Sequence, residues 1–86
     1  MTTKKKVPSY SAVVGRFIRL EREVQQMTLS TMAKKLGYST SGWSRVETGN
    51  VSMTIVTLRR ACLALGRTPS VILKEADDFF RRNYDA

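Results

Sequence analysis

The chain has 86 residues, 42% of them apolar, which suits one small hydrophobic core and leaves no room for a second domain. Its 15 lysines and arginines against 7 acidic residues give a formal charge of +8, which attracts a polyanion such as nucleic acid or an anionic membrane. The lack of histidine, of clustered metal-ligand residues and of an apolar run near the roughly 18 residues that span a bilayer argues against a metal site, another cofactor or a transmembrane segment.

Residues 1–8 are predicted to form a flexible basic arm, because they hold three consecutive lysines, show no apolar period and end at Pro8. Such an arm can contact a polyanion, and a solvated tail without a function is the alternative. The segment lacks the apolar core of a signal peptide, so we expect a soluble, cytoplasmic protein.

The next two predicted elements are amphipathic helices. The first runs from about Ser9 to Gln26, and the second follows the N-cap Thr28 and ends at Gly37, which suits a left-handed C-terminal position. Their predicted apolar faces, which recur at helical spacing, are Val13, Phe17, Leu20 and Val24 in the first helix and Leu29, Met32, Ala33 and Leu36 in the second.

The third predicted helix, Thr40 to about Thr48, follows the N-cap Ser39 and has two contrasting faces. One face buries Trp43 and Val46. A solvated face is usually rich in Lys and Glu, whereas the opposite face here carries short hydroxyl side chains, which are poor helix formers, and one arginine. Short side chains let a helix lie close to a surface, and the major groove of DNA accepts a helix. This polar face comprises Thr40, Ser41, Ser44, Arg45 and Thr48.

The fourth predicted helix follows the N-cap Thr54 and closes at Gly66. Its inward residues are predicted from their spacing to be Ile55, Leu58, Cys62 and Leu65. Cys62 is the single cysteine, so no disulfide can form within the chain. We interpret it as a small buried hydrophobic residue, with a reactive thiol as the alternative.

The fifth predicted helix has Thr68 at its N-cap and Pro69 as its first residue, and it extends to about Asn83. Its apolar arc of roughly 140° is wider than the stripe of about 100° that a core-facing helix needs. Residues 67–86 are neutral overall, whereas residues 1–66 carry the whole charge excess. We therefore expect the helix to contact a partner subunit as well as its own core, the alternative being a helix that only covers that core. The predicted partner contacts are Leu73, Phe80 and Tyr84, with Phe79 facing inward.

No segment shows sustained strand alternation, so the predicted fold is all-α, a compact five-helix bundle that forms one domain over residues 9–84. The stretch MTLSTMAKKLGYSTSGWSRVETGN, followed by VSMTIVTLRRACLALG, resembles the Cro/C1-type helix-turn-helix family of small regulators, also called the XRE family. The resemblance covers residues 17–73 and rests on Ala33, Leu36-Gly37, Ser39, Glu47-x-Gly49 and Leu65-Gly66. It implies a lambda-repressor-like domain whose second and third helices read DNA, frequently as a homodimer on a palindromic operator.

The resemblance also assigns roles to individual side chains. It implies base contacts by Thr40, Ser41, Ser44 and Arg45, and phosphate contacts by Thr28, Ser39, Asn50 and Ser52. Lys34 and Lys35 are either further phosphate contacts or solvated surface. Arg22 and Glu47 match a pair that joins the first helix to the end of the third, for which we favour a structural role.

Three positions depart from the family pattern, and one of them is Met53, which replaces a common proline. Leu29 stands where a polar phosphate-binding residue is common, so only backbone could make that contact. Gly42 lies inside the third helix, where glycine costs about 1 kcal/mol relative to alanine. It is consistent with an adaptable DNA surface or, as we prefer, with close packing between helices.

These observations favour a small transcriptional regulator that binds double-stranded DNA sequence-specifically, most simply a repressor that occludes a promoter. An enzyme is not expected, because the chain has no histidine and no carboxylate clustered with a base. The alternative is a protein-binding regulator on the same fold, an antitoxin or anti-activator whose partner is a toxin or another regulator. Membrane binding is not expected, because the aromatic residues take core positions rather than alternating with exposed cations.

Overall fold

The computed structural model describes residues 7–85, and within this range the chain forms five α-helices and no strand. The all-α prediction is confirmed. Lys4, Lys5 and Lys6 of the predicted basic arm lie outside the described residues. None of the helices in residues 7–85 combines the length and apolarity needed to cross a membrane. The helices are α1 (Tyr10–Val24), α2 (Leu29–Leu36), α3 (Thr40–Thr48), α4 (Ile55–Ala64) and α5 (Pro69–Asn83).

Local capping residues set most of the helix ends. The side chains of Ser9, Thr28, Ser39 and Thr54 each accept a hydrogen bond from the backbone N–H three residues later. Gly37 and Gly49 end α2 and α3 in the left-handed conformation, with φ of 78° and 83°, which glycine adopts without strain. Thr68 occupies the N-cap of α5 without a side-chain cap hydrogen bond, and Pro69 begins that helix.

The core lies where α1, α3 and α5 meet the α2–α4 pair. Trp43 and Ile18 are its largest fully buried side chains. Cys62 is buried, as predicted, and burial raises the pKa of its thiol, so it acts as a core residue. At the start of α5, Arg67 donates a hydrogen bond of 2.7 Å to Glu21 of α1, which lowers the pKa of that carboxyl.

The predicted apolar face of α1 is wrong in the C-terminal half of the helix. Leu20 and Val24 are 46% and 77% exposed, whereas Val14, Ile18 and Arg22 line the buried side. Two neighbouring faces of α1 both have residues at helical spacing, so spacing alone does not choose between them. The face that is buried contains a glycine and an arginine, and a search for apolar residues passes over both. Arg22 is buried because it has a partner there.

Ile55 is a second correction, since it is 85% exposed rather than part of the core. It is the first residue of α4, and Thr57 and Ala61 take the inward positions that the apolar spacing did not select. The predicted inward residues Leu58, Cys62 and Leu65 are buried.

A close approach of α1 to α3 fixes the position of the candidate site. A Cβ atom added to Gly15 of α1 would overlap the backbone of Glu47 in α3, with the carbonyl carbon of Glu47 at 2.8 Å. At the end of the same helix, a Cβ on Gly49 would lie 2.5 Å from that of Ala12. The two helices therefore touch backbone to backbone, which only glycine allows.

Candidate nucleic-acid interface

The outward face of α3 is the main candidate surface. Trp43, Val46 and Glu47 are buried on the inner side of this helix. On the other side the side chains are exposed, apart from the half-buried Ser44, and they comprise Thr40, Ser41, Ser44, Arg45 and Thr48. The predicted separation of the two faces of α3 is therefore present in the structure.

Arg45 is the long side chain of this face and is exposed. Its guanidinium makes no hydrogen bond or ion pair with any of residues 7–85, so its five N–H donors are available for a ligand. Thr48 differs, because its hydroxyl donates to the carbonyl of Ser44 at 2.9 Å and also reaches that of Arg45. Arg45 is thus the better candidate for reading a base edge.

The predicted phosphate contacts lie around this face on three elements. Thr28 and Ser39 are the N-caps of α2 and α3, so their side-chain oxygens are already engaged and the free amides of each first turn are the groups left to bind an anion. Asn50 and Ser52 are exposed in the loop after α3.

The predicted lysines of α2 are both exposed. Neither ammonium has a partner among the described residues. Adjacent helical residues diverge by about 100°, so Lys34 and Lys35 leave α2 in different directions. Their assignment to phosphate or to solvated surface stays a prediction.

A polar notch of about 200 Å³ opens between α1, the start of α2 and α3. It is lined by Arg19, Arg22, Leu29, Ser44, Glu47 and Thr48. Leu29 is half-buried there and forms an apolar wall of the notch. The family often has a polar residue at this position. Arg19 lies at the notch but donates to Glu23 at 3.3 Å, across an exposed ion pair.

Arg22 and Glu47 form a buried bidentate ion pair beneath this surface. Arg22 Nε donates to Glu47 Oε2 at 2.8 Å, and Nη2 donates to Oε1 at 3.1 Å. The third donor, Nη1, bonds to the carbonyl of Met27 at 2.7 Å. The indole N–H of Trp43 also donates to Glu47 Oε2. The ion pair therefore joins α1 to α3, and the Arg22 guanidinium also binds the loop before α2 at Met27. The structural role favoured for the pair stays a prediction.

Three features of this region were missed by sequence reasoning: the Trp43–Glu47 bond, the contact at Gly15, and a hydrogen bond from Arg60 to α2. Glycine inside a helical pattern was an available signal for Gly15, because it often marks close backbone approach. The hydrogen bond of Arg60 spans 24 residues and leaves no local pattern.

The preferred interpretation of Gly42, close packing between helices, is wrong. A Cβ atom added there would meet only Ser39 Oγ, at 2.9 Å, and a ring carbon of Tyr38, and both residues belong to the preceding turn. Within residues 7–85, no atom of another helix lies within 4 Å of that Cβ.

The predicted partner contacts lie on α5 and at its C-cap. Phe80 is half-buried and stacks on Tyr10 of α1, with ring centroids 5.4 Å apart. Tyr84, Leu73 and Phe79 are also half-buried, so burial does not separate Phe79, predicted to face inward, from Phe80. Beside them, a largely apolar groove of about 300 Å³ is lined by Tyr10, Ser11, Val14, Met53, Thr54, Ile55, Leu58 and Leu73.

Comparisons with known proteins agree with this architecture. Residues 6–72 match the model of the helix-turn-helix domain family. Two crystal structures of the clp gene regulator ClgR from Corynebacterium glutamicum are similar to the chain, each at 26% identity and a TM-score of 0.79. The alignments cover 84% of this chain and 77% of that chain in one case, and 85% and 95% in the other. Among curated proteins, none matches. The family match spans α1 to α4, including the whole candidate surface.

Proposed function

Because the chain belongs to the helix-turn-helix domain family, we propose that it binds double-stranded DNA sequence-specifically as a small transcriptional regulator, most simply a repressor that occludes a promoter. The observation that carries the proposal is the outward face of α3, where Arg45, which has no hydrogen-bond or ion-pair partner within residues 7–85, lies among hydroxyl side chains on a helix whose inner side is buried. Hydroxyls can donate to or accept from base edges, and arginine can form a bidentate pair with guanine.

Charge supports nucleic acid as the ligand. The excess of +8 falls entirely in residues 1–66, which contain the helix-turn-helix pair, and the remaining residues are neutral. A uniform charge for solubility would be spread over the whole chain. Concentration in this part suits binding to phosphates, which supplies much of the affinity for DNA.

The first prediction tests Arg45. Arg45→Ala is expected to weaken binding to the duplex that wild-type protein selects from a random-sequence library by about 1 to 3 kcal/mol, and to relax preference at one base pair. The fold should be unaffected, because the side chain is exposed and makes no hydrogen bond or ion pair within the described residues 7–85. Fluorescence anisotropy and a second selection with the variant measure the two effects.

Arg82→Ala is the matched control, because Arg82 is an exposed arginine on α5, away from the candidate surface. It should change the affinity far less and leave the base preference intact. Unchanged affinity and base preference in Arg45→Ala would exclude Arg45 from base readout.

We also propose that the regulator is a homodimer that reads a palindromic operator, with the apolar groove beside α5 as the subunit contact. Leu73 of α5 and Ile55 of α4 line the same groove, and Ile55 projects from it at 85% exposure. A single recognition helix covers only a few base pairs, whereas two related by a two-fold axis read half-sites roughly 34 Å apart. A second copy therefore supplies both a cover for the groove and a second reading helix.

The second prediction tests this contact at Ile55 rather than at Phe80, whose ring also stacks on Tyr10 within the chain. Ile55→Glu should leave a folded monomer in analytical ultracentrifugation and lower the affinity for a full operator at least about tenfold, since each half-site then binds alone. Val24→Glu is the matched control, because Val24 is 77% exposed and lies outside the groove. Wild-type protein that stays monomeric at tens of micromolar, yet binds a half-site as tightly as the full operator, would refute the dimer.

A further inference from the structure

Helix α4 holds both sides of the turn that separates α2 from α3. Arg60 Nη2 donates a hydrogen bond of 2.9 Å to the carbonyl of Leu36, the last residue of α2. One turn earlier on α4, Thr57 shares a hydrogen bond of 3.3 Å with the hydroxyl of Tyr38, the residue before the N-cap of α3. These two bonds bracket Gly37, so the turn is attached to α4 on each side.

The bond from Arg60 satisfies a backbone group that the helix cannot satisfy by itself. The last carbonyls of a helix have no partner within it, and they carry the negative end of the helix dipole. In α2, the amides of Gly37 and Tyr38 return to the carbonyls of Lys34 and Ala33, so neither reaches Leu36. A guanidinium at the Leu36 carbonyl supplies both a donor and the favourable charge.

Tyr38 extends this attachment toward the reading helix. Its ring lies 5.4 Å from that of Trp43, the buried anchor of α3. Thr57, its partner in α4, is buried and also accepts a hydrogen bond from Thr54. Within residues 7–85 no hydrogen bond joins α4 to α3 directly, so α4 acts on α3 through the turn.

We propose that Arg60 is a positioning residue for DNA recognition: by holding the end of α2 it keeps the turn, and therefore the outward face of α3, at the angle that fits the major groove. The inference rests on the proposed DNA-binding function. Arg60 differs in this from its neighbour Arg59, which is exposed and has no hydrogen-bond or ion-pair partner among the described residues.

The test compares Arg60→Met with Arg59→Met, which removes the same charge from the adjacent position. Two duplexes are used: the one selected by wild-type protein from a random-sequence library, and the unselected library itself. Arg60→Met should lose about tenfold more affinity for the selected duplex than Arg59→Met, the size of one charge-assisted hydrogen bond. Both variants should bind the unselected library equally well, because each lacks one positive charge. Arg60→Lys, which keeps a donor, should recover most of the loss.

Amide hydrogen exchange, measured on protein without DNA, is a second readout. If Arg60 only bound a DNA phosphate, its loss would not change this exchange. Exchange at Tyr38 and Gly42 should be about tenfold faster in Arg60→Met than in Arg59→Met, because the turn opens more often. The proposal would be overturned if Arg60→Met lost affinity for the selected duplex and for the unselected library by the same factor. Unchanged exchange at the amides of Tyr38 and Gly42 would also overturn it. Failure of the wild-type chain to select any sequence would instead refute the proposed function, and the exchange rates would still decide whether Arg60 holds the turn.

Discussion

Glu47→Ala is expected to lower the free energy of unfolding by about 3 to 5 kcal/mol, a large part of the roughly 5 to 15 kcal/mol that stabilises a small domain. The carboxylate accepts two hydrogen bonds from Arg22 and one from Trp43, and it is 4% exposed. Its removal leaves a buried guanidinium with only the Met27 carbonyl and an indole N–H without an acceptor. Both groups lose solvation without compensation. Urea denaturation followed by Trp43 fluorescence measures the change.

Glu23→Ala is the matched control, because Glu23 pairs with Arg19 across an ion pair in which both side chains are about half exposed. Such surface pairs contribute about 1 kcal/mol or less. A double-mutant cycle with Arg22→Ala should show strong coupling, since the second substitution removes the charge that the first leaves unpaired. A loss in Glu47→Ala no greater than that in Glu23→Ala would show that the buried cluster is not a source of stability.

The helix positions could be predicted from the sequence because local chemistry determines them. Thr28 and Ser39 each bond to an amide three residues later, and Gly37 and Gly49 adopt the left-handed conformation, so each signal lies within a few residues of the boundary that it sets. The bounds predicted for α2 and α3 are those of the structure. The bounds of α3 could therefore be located before any tertiary contact was known.

The orientation of α1 could not be predicted in the same way. Its buried stripe contains Arg22, which an apolar count rejects, and burial of that arginine depends on Glu47, 25 residues away. Ile55 is the opposite case, an apolar residue that the helical spacing assigned to the core. It is exposed because it is the first residue of α4. Apolar spacing does not identify a face that is set by a distant partner, and only the family resemblance pointed to the Arg22–Glu47 pair. The polar face of α3 was predictable because Trp43 and Val46 mark the inner side of that helix.

Gly15 offers the strongest test of how α3 is held against α1. In most helix interiors Gly→Ala is stabilising by about 1 kcal/mol, since glycine has the greater backbone entropy to lose. At Gly15 the added Cβ would overlap Glu47, whose carbonyl carbon would lie at 2.8 Å and whose Cα would lie at 3.0 Å. These are backbone atoms of a packed helix, so no side-chain rotation can relieve the overlap. The helices α1 and α3 must move apart or the fold must open.

Gly15→Ala is therefore expected to destabilise the protein by about 3 kcal/mol, at the upper end of the usual cost of overpacking, because separation of α1 from α3 also stretches the Arg22–Glu47 pair. Urea denaturation measures this loss. Gly42→Ala is the matched control: its Cβ would meet the hydroxyl of Ser39, and rotation of that hydroxyl would cost the N-cap hydrogen bond, worth about 1 kcal/mol. Alanine gains about 1 kcal/mol in helix propensity over glycine, so the stability should stay within about 1 kcal/mol of wild type. The same ranking should hold for DNA affinity in any Gly15→Ala protein that remains folded, because a displaced α3 presents Arg45 at the wrong angle. If the Gly15→Ala protein were as stable as the Gly42→Ala protein, the close contact with α1 would not fix the position of α3.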